Sequence, residues 1–224
     1  MLEAVLWDMD GLLVDSEPLW TIAETDLAAS LGRTWTAELK AAVIGTRLDA
    51  AAPSILAGLG VPVTASAVEE ASAYLLGRMV ELFGADELPL LPGARALLDE
   101  LAAAGVPCAL VSSSYRVLVE AVLASLGDHP FAATVAGDEV VHAKPHPEPY
   151  LAAATALGVG PAACVVLEDS VTGARSGLAA GCPTVLVPGA SVGVPREPGG
   201  WLLVPSLAAL DVPTLRGLPA DSLW

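Results

Sequence analysis

The chain has 224 residues, of which 54% are hydrophobic, and its formal net charge at pH 7 is -16. These values exclude a disordered chain and suit either one large domain or a main domain with a smaller insertion. Because only 10 residues are Lys or Arg, no basic stripe can neutralise a nucleic-acid backbone, and nucleic acid is not expected as a partner.

The N-terminal segment predicts a short buried strand over residues 4–7. This strand ends at two carboxylates, Asp8 and Asp10, which are followed by Gly11. The pattern then becomes helical as far as a proline-rich break at residues 89–93. Apolar spacing predicts four helices before that break: 17–31, 37–43, 48–59 and 64–83. We therefore expect an all-helical cap over residues 15–91, inserted directly after the first strand.

Strands and helices alternate in the rest of the chain. A helix over 94–104 comes first. Strands are then predicted at 108–111, 134–136, 164–167, 184–187 and 201–204. Helices are predicted between them at 117–126, 147–157 and 172–180, and a short one follows at 207–210. Such alternation predicts βαβ units and a parallel sheet covered on both faces. The predicted fold class is α/β, with a parallel-sheet core made of residues 1–14 and 92–224.

The sequence favours a cytoplasmic location. No basic segment opens the chain, and Asp8 lies where a secretory signal would be apolar. Two long stretches without charge are interrupted by proline and glycine, so no contact with a membrane is expected. Cys108, Cys164 and Cys182 lack metal-binding spacing, which predicts buried free thiols.

Polar residues follow four of the predicted strands, at the edge of a parallel sheet where ligands bind. They are Asp8 and Asp10, then Ser112, Ser113 and Ser114, then Lys144, and finally Glu168 and Asp169. Clustered carboxylates repel one another unless a cation lies between them, and a set of oxygen ligands favours Mg²⁺ over zinc. His142 and His146 do not favour zinc either, because a proline between them keeps them off a common helix face.

Several other chemistries lack their motifs. The chain has no GxxxxGK[ST] loop for a nucleoside triphosphate, no GxGxxG turn for a dinucleotide and no GxSxG elbow for a nucleophilic serine. The serines after the second strand are therefore interpreted as donors to an anion. Lys144 lies in a proline-rich loop, which indicates a fixed positive charge.

Together these residues resemble the four ordered motifs of the haloacid dehalogenase superfamily. The matching segments are Asp8-Met9-Asp10-Gly11, Ser112, Lys144-Pro145 and Glu168-Asp169-Ser170. The helical insertion and the segment Asp15-Ser16-Glu17-Pro18-Leu19-Trp20 resemble the branch of β-phosphoglucomutases and sugar-phosphate phosphatases. The resemblance implies a Rossmann-like core with a helical cap, and a Mg²⁺-dependent phosphatase of small phosphorylated metabolites, such as sugar or polyol phosphates.

The resemblance also implies roles for individual residues. Asp8 would attack phosphorus and form an aspartyl phosphate, while Asp10 would protonate the leaving oxygen and then deprotonate the water. Mg²⁺ would be bound by Asp8, by the backbone carbonyl of Asp10 and by Asp169, with Glu168 either a direct ligand or one layer further out. The cation and Lys144 would keep the pKa of Asp8 low.

Ser112, Ser113 and Lys144 would hold the phosphoryl oxygens. Glu17, Trp20, Arg47 and Arg116 are candidates for contact with the rest of the substrate, which we expect to be bound by a monomer. Trp20 could instead belong to the core of the cap, and Arg47 could pair with a neighbouring acid.

Two alternatives to a phosphatase remain at this stage. The first is a sugar phosphomutase; against it, Trp20 stands where the mutases carry a histidine, and Tyr115 and Arg116 replace their lysine and asparagine. The second is a non-catalytic protein that binds a phosphorylated metabolite and has a regulatory role.

Overall fold

The computed structural model describes residues 2–44, 46–85, 88–189 and 199–218. In these residues a six-stranded sheet has the order β3-β2-β1-β4-β5-β6, and all of its pairings are parallel. The strands are β1 (Ala4–Trp7), β2 (Cys108–Val111), β3 (Phe131–Val135), β4 (Cys164–Glu168), β5 (Thr184–Leu186) and β6 (Leu202–Leu203). The predicted α/β class with a Rossmann-like parallel sheet is confirmed.

β1 lies in the middle of the sheet because it is apolar on both faces. Its four side chains are fully buried, with Val5 and Trp7 in one core cluster and Ala4 and Leu6 in another on the opposite face. The strand pairs with β2 on one side and with β4 on the other. The first polar residue after it, Asp8, is thereby fixed at the centre of the sheet edge.

Apart from the last, the helices follow the predicted order. They are α1 (Glu17–Ser30), α2 (Ala37–Val43), α3 (Leu48–Gly58), α4 (Ala65–Ala85), α5 (Ala94–Ala103), α6 (Arg116–Leu126), α7 (Glu148–Leu157), α8 (Val171–Ala179) and α9 (Val212–Arg216). Helices α1 to α4 all lie between β1 and β2 in the chain. α4 packs against α1 and α3, and also against α6 beside the sheet. None of the helices in the described part of the chain is both long and apolar enough to cross a membrane.

The two connections between the sheet and α1–α4 are hydrogen-bonded to each other. The backbone N–H of Asp15 donates to the carbonyl of Pro89 at 2.8 Å, and that of Leu91 donates to the carbonyl of Leu13 at 3.0 Å. Both connections therefore run side by side next to the end of β1. The domain boundaries at residues 15 and 91 stay a prediction.

Three expectations for the second half of the chain need correction. β3 begins at Phe131 instead of 134. The Phe131 ring packs edge-on against Trp7, a residue remote in sequence. The small residues between 131 and 134 gave no sign of this contact. β6 has only two residues, and α9 was not expected. α9 is a single short turn capped by the Asp211 side chain, too short for an apolar period.

The three cysteines are buried and free, as predicted. Burial raises the pKa of the Cys108 thiol to about 12, so this group is a packing residue and not a nucleophile.

Candidate active site

Lys144 forms the centre of a buried ion network at the carboxyl edge of the sheet. Its ammonium donates to Asp8 Oδ1 at 2.5 Å, to Glu168 Oε1 at 2.7 Å and to the backbone carbonyl of Val111 at 3.0 Å. All three acceptors lie at the ends of neighbouring strands, β1, β4 and β2. The three N–H donors of this lysine therefore connect the ends of three adjacent strands.

Glu168 is held on both of its carboxylate oxygens. Oε1 accepts from Lys144 and, at 2.6 Å, from the Tyr150 hydroxyl, while Oε2 accepts from the Ser170 hydroxyl at 3.1 Å. Burial raises the pKa of Tyr150, and the nearby Glu168 adds to the rise, so the phenol stays protonated and remains a donor. Gly173 makes room for this carboxylate, because a Cβ there would lie 1.8 Å from Glu168 Oε1.

Asp10 is surrounded by serine hydroxyls. Ser16 donates to Oδ1 at 2.7 Å, and Ser112 and Ser114 donate to Oδ2 at 3.1 and 2.8 Å. A hydroxyl can either donate or accept a hydrogen bond, so these partners can hold the Asp10 carboxyl group in the same place with or without a proton. This property suits a residue that alternates between acid and base.

Asp8, Glu168 and Asp169 form a possible cation site, since they offer carboxylate oxygens that all lie within 4.8 Å of one another. Two glycines leave room for the Asp169 carboxylate. A Cβ on Gly11 would lie 2.3 Å from Asp169 Oδ2, and a Cβ on Gly189 would lie 2.7 Å from the same atom. The Asp10 side chain is not part of this set among the described residues.

The charges of this cluster do not balance without a further cation. Burial raises the pKa of Asp8 well above its usual range, Glu168 raises it further, and Lys144 offsets only part of the effect. Burial, followed by Glu168, raises the pKa of Asp169 to about 8. The pKa of Lys144 is raised although burial alone would lower it, because the attraction of Asp8 and Glu168 is larger. Lys144 alone therefore does not keep the pKa of Asp8 low, and the expectation that Mg²⁺ and Lys144 do so together stays a prediction.

The cluster opens into a cavity of about 600 Å³. Its floor carries Asp8, Asp10, Lys144 and Asp169, and its walls include Ser113 and Ser114. Glu17, Trp20 and Arg47, the candidates for substrate contact in the predicted cap, line the same cavity as the acidic cluster.

A second ion network lines the cavity on the side of α1 and α2. The Lys40 ammonium lies 2.8 Å from Glu17 Oε2 and 3.1 Å from Glu24 Oε2. Apart from this ammonium, neither Oε2 atom has a partner among the described residues, and Arg47 Nε likewise lacks a hydrogen bond there. We call Glu17, Glu24 and Lys40 the cap triad.

The two open interpretations of Trp20 and Arg47 turn out to be compatible. Trp20 packs against the core and also lines the cavity. Arg47 Nε lies 3.6 Å from Asp49 Oδ1, so it does pair with the neighbouring acid, and it lines the cavity as well. Their substrate contacts stay predictions.

Arg116 needs correction as a substrate-binding residue. Its guanidinium is engaged by Glu139 and by the hydroxyl and carbonyl of Thr134, and it does not line the cavity. It ties the start of α6 to the loop after β3. Ser112 is also placed differently from Ser113: it is 2% exposed, and its hydroxyl is used by Asp10 and by the backbone N–H of Ser114.

Sequence reasoning missed Tyr150, Glu24 and Lys40. One signal could have found Lys40: the chain has only two lysines, and both line this cavity. No comparable signal marked Glu24 or Tyr150, because each lies within the apolar pattern of a helix and acquires its partner only when the chain folds.

A family model described as haloacid dehalogenase-like hydrolase matches residues 2–181. Over 188 residues the chain is 36% identical to hexitol phosphatase B of Escherichia coli K12, and the match covers 83% of this chain and 83% of that protein.

Solved structures show the same architecture. A CbbY variant from Rhodobacter sphaeroides in complex with xylulose-(1,5)bisphosphate is 28% identical, with a TM-score of 0.83 over 98% of this chain and 100% of that one. The β-phosphoglucomutase of Clostridium difficile is 23% identical, with a TM-score of 0.79 over 96% of either chain. At 23% identity, the similarity to the β-phosphoglucomutase supports the fold alone.

Proposed function

The chain belongs to the haloacid dehalogenase-like hydrolases, and from this premise we propose that it is a Mg²⁺-dependent phosphatase of sugar or polyol monophosphates. The observation that carries the proposal is the buried network in which Lys144 joins Asp8 to Glu168 while Asp10 lies on the same cavity floor. The similarity to hexitol phosphatase B supports the substrate class.

The residues present fit a divalent cation. Asp8, Glu168 and Asp169 are three carboxylates facing one ammonium, Lys144, so a charge of about two units remains to be balanced when all are ionised. Oxygen ligands favour Mg²⁺. Asp8, Asp169 and the Asp10 backbone carbonyl would hold the ion, and Glu168, with both of its oxygens already engaged, would orient Lys144. Mg²⁺, when bound, would neutralise charge on the carboxylates and the phosphoryl group.

Asp8 and Asp10 would divide the chemistry between them. A carboxylate oxygen of Asp8 forms a bond to phosphorus as the bond from phosphorus to the ester oxygen breaks, and Asp10 gives its proton to that oxygen. Water then attacks the aspartyl phosphate, Asp10 takes a proton from the water, and phosphate leaves with Asp8 regenerated. The serine hydroxyls around Asp10 support both of its states.

Ser113 would donate to the phosphoryl oxygens, and the Lys144 ammonium, whose three N–H groups already bond Asp8, Glu168 and the Val111 carbonyl, would attract them through its charge. Lys144 is positioned by three acceptors before any substrate arrives, so little reorganisation is required in the transition state. Ser112 would contribute by fixing Asp10.

The cap triad supports a hydroxyl-rich substrate with one phosphate. Glu17, Glu24 and Lys40 line the cavity, and substrate hydroxyls could hydrogen-bond to the accessible parts of these polar side chains. The triad carries two negative charges against one positive charge. A second phosphate beside Lys40 would meet an ammonium that two carboxylates already neutralise, which leaves Arg47 as the remaining cation of the predicted cap among the described residues that line the cavity.

The same feature disfavours a mutase, which must accommodate phosphate groups at both ends of its substrate. The departures at Trp20 and Tyr115 from the mutase pattern agree with this conclusion. A mutase would be recognised by interconversion of a sugar 1-phosphate and a sugar 6-phosphate, primed by a bisphosphate.

The deciding experiment is a phosphate-release screen over hexitol, hexose and pentulose monophosphates and matched bisphosphates, with and without Mg²⁺. We expect Mg²⁺-dependent release that is fastest with a polyol or sugar monophosphate and absent in Asp8→Asn. Full Mg²⁺-dependent release by Asp8→Asn would contradict the covalent mechanism. Tight binding of these compounds without turnover at saturating Mg²⁺ would instead identify a non-catalytic binding protein.

A further inference from the structure

Two histidines and a glutamate meet on the surface where the loop after β3 reaches α7. Glu148 Oε2 lies 2.8 Å from His142 Nδ1 and 3.9 Å from His146 Nδ1. The two imidazole rings face each other with centroids 4.4 Å apart. One ligand atom of each residue lies within 4.8 Å of the others. The proline between the histidines keeps them off a common helix face, as expected, yet the turn it makes brings their rings together.

The glutamate of this cluster is held in place by the backbone. Its Oε1 accepts from the N–H of Val141 at 2.7 Å, and its Oε2 accepts from the N–H of His142 at 3.0 Å. One of the three candidate ligands is therefore ordered before any ion arrives, which lowers the entropic cost of binding. The imidazoles are about half exposed, so an ion can approach both of them from solvent.

Imidazole nitrogens with one carboxylate oxygen are ligands for Zn²⁺, Ni²⁺, Co²⁺ or Cu²⁺, whereas Mg²⁺ prefers oxygen alone. We propose that His142, His146 and Glu148 bind one transition-metal ion, at a site separate from the oxygen-only cluster of Asp8 and Asp169. The exposure of the site leaves the remaining coordination positions to water.

An ion would replace two contacts inside the cluster, of which the first is the 2.8 Å contact between His142 Nδ1 and Glu148 Oε2. In the second, His146 Nδ1 accepts from the N–H of Glu148 at 3.2 Å, and this N–H lies at the exposed start of α7, where water can replace the imidazole. The acidic chain, with a net charge of -16, favours the approach of cations in general.

The proposed metal site lies on the same segment of chain as Lys144. His142 and His146 bracket Lys144 and Pro145 in sequence, and the carbonyl of His146 already accepts from Ser176 in α8 at 2.6 Å. An ion at the cluster ties both ends of the segment that presents Lys144. We expect it to raise the melting temperature without substituting for Mg²⁺ in phosphate release.

The test is calorimetric titration of Zn²⁺ into the intact protein at saturating Mg²⁺, together with thermal unfolding. We expect one Zn²⁺ per chain in the wild type and in Asp169→Asn, in which the oxygen cluster is disabled. The double variant H142Q/H146Q should bind at least about tenfold more weakly and lose the Zn²⁺-dependent rise in melting temperature.

The matched control is H129Q, which removes the third histidine, outside the cluster, and should retain the binding. Melting curves without Zn²⁺ verify that each variant folds. The absence of a Zn²⁺ site in the wild type, the loss of binding in Asp169→Asn, or equal binding by H142Q/H146Q would each overturn the proposal.

Discussion

Lys144 donates to Asp8 Oδ1 at 2.5 Å although 136 positions separate the two residues in the chain. The bond crosses from the loop before α7 to the end of β1, and the same ammonium reaches Glu168 at the end of β4. One lysine thus holds together carboxylates that would otherwise repel one another. The contact between Asp8, the proposed nucleophile, and Lys144 therefore serves both the stability of the fold and the proposed reaction.

Removing this lysine should cost both stability and activity. Lys144→Met leaves Asp8 and Glu168 buried without their cation, a change that costs about 3 kcal/mol of unfolding free energy in the absence of metal. Urea unfolding in EDTA measures the loss. The control is Arg78→Met, which removes exposed ion pairs with Asp26 and Glu81 and should change stability little. Equal effects of the two substitutions would show that the buried network is not stabilising.

The metal-free protein should lose stability as the pH rises toward 8. The pKa of Asp169 is raised from 3.8 to about 8 by burial and then by Glu168, so between these values the folded chain binds a proton that the unfolded chain releases. Stability must therefore fall with rising pH across this window. We expect the melting temperature in EDTA to fall less steeply for Asp169→Asn than for the wild type, and Mg²⁺ to restore the wild type at pH 8. Identical slopes would contradict the assignment.

Asp10→Asn should separate the two chemical steps. Without its proton donor and acceptor, turnover of a sugar phosphate should fall by about 10² to 10⁴. An aryl phosphate needs no proton on its leaving oxygen, so its phosphoryl group should still reach Asp8 and remain there, because no base activates the water. Mass spectrometry of the quenched protein should then show one phosphate on Asp8. An unphosphorylated variant with normal fold would contradict these roles for the two residues.

Gly173→Ala should disturb the site through Glu168. The added Cβ would lie 1.8 Å from Glu168 Oε1, so the carboxylate that positions Lys144 must move. We expect a large loss of kcat and a lower melting temperature. Gly77→Ala is the matched control in another helix, where nothing lies within 4 Å, and it should be neutral or stabilising by about 0.4 to 1 kcal/mol.

Glu24→Gln should alter substrate preference. The substitution removes one of the two charges that neutralise Lys40, so a second phosphate is less strongly repelled. We expect kcat/KM for the preferred monophosphate to fall about tenfold, the cost of one charged hydrogen bond, and the relative rate on bisphosphates to rise. Glu38→Gln, on the exposed side of α2, serves as the control. An unchanged ratio of the two substrates would show that the cap triad does not select by charge.

The sequence alone determined the fold class, most element boundaries and the identities of Asp8, Asp10, Lys144 and Asp169 as candidates. These features are local: a buried strand must be apolar, its end must be polar where a ligand binds, and apolar spacing distinguishes helix from strand. The correct placement of α2 and of β2 to the residue shows how far such local signals reach.

Only the tertiary structure decided which partners these residues have. Arg116 follows the serine cluster in sequence, yet it is drawn to Glu139, whereas Lys40, far from any motif, lies in the cavity between Glu17 and Glu24. His142 and His146 meet because a turn folds their loop back on itself. Such contacts depend on distances between remote parts of the chain, which no local pattern encodes, and on charge balance that exists only once those parts are buried together.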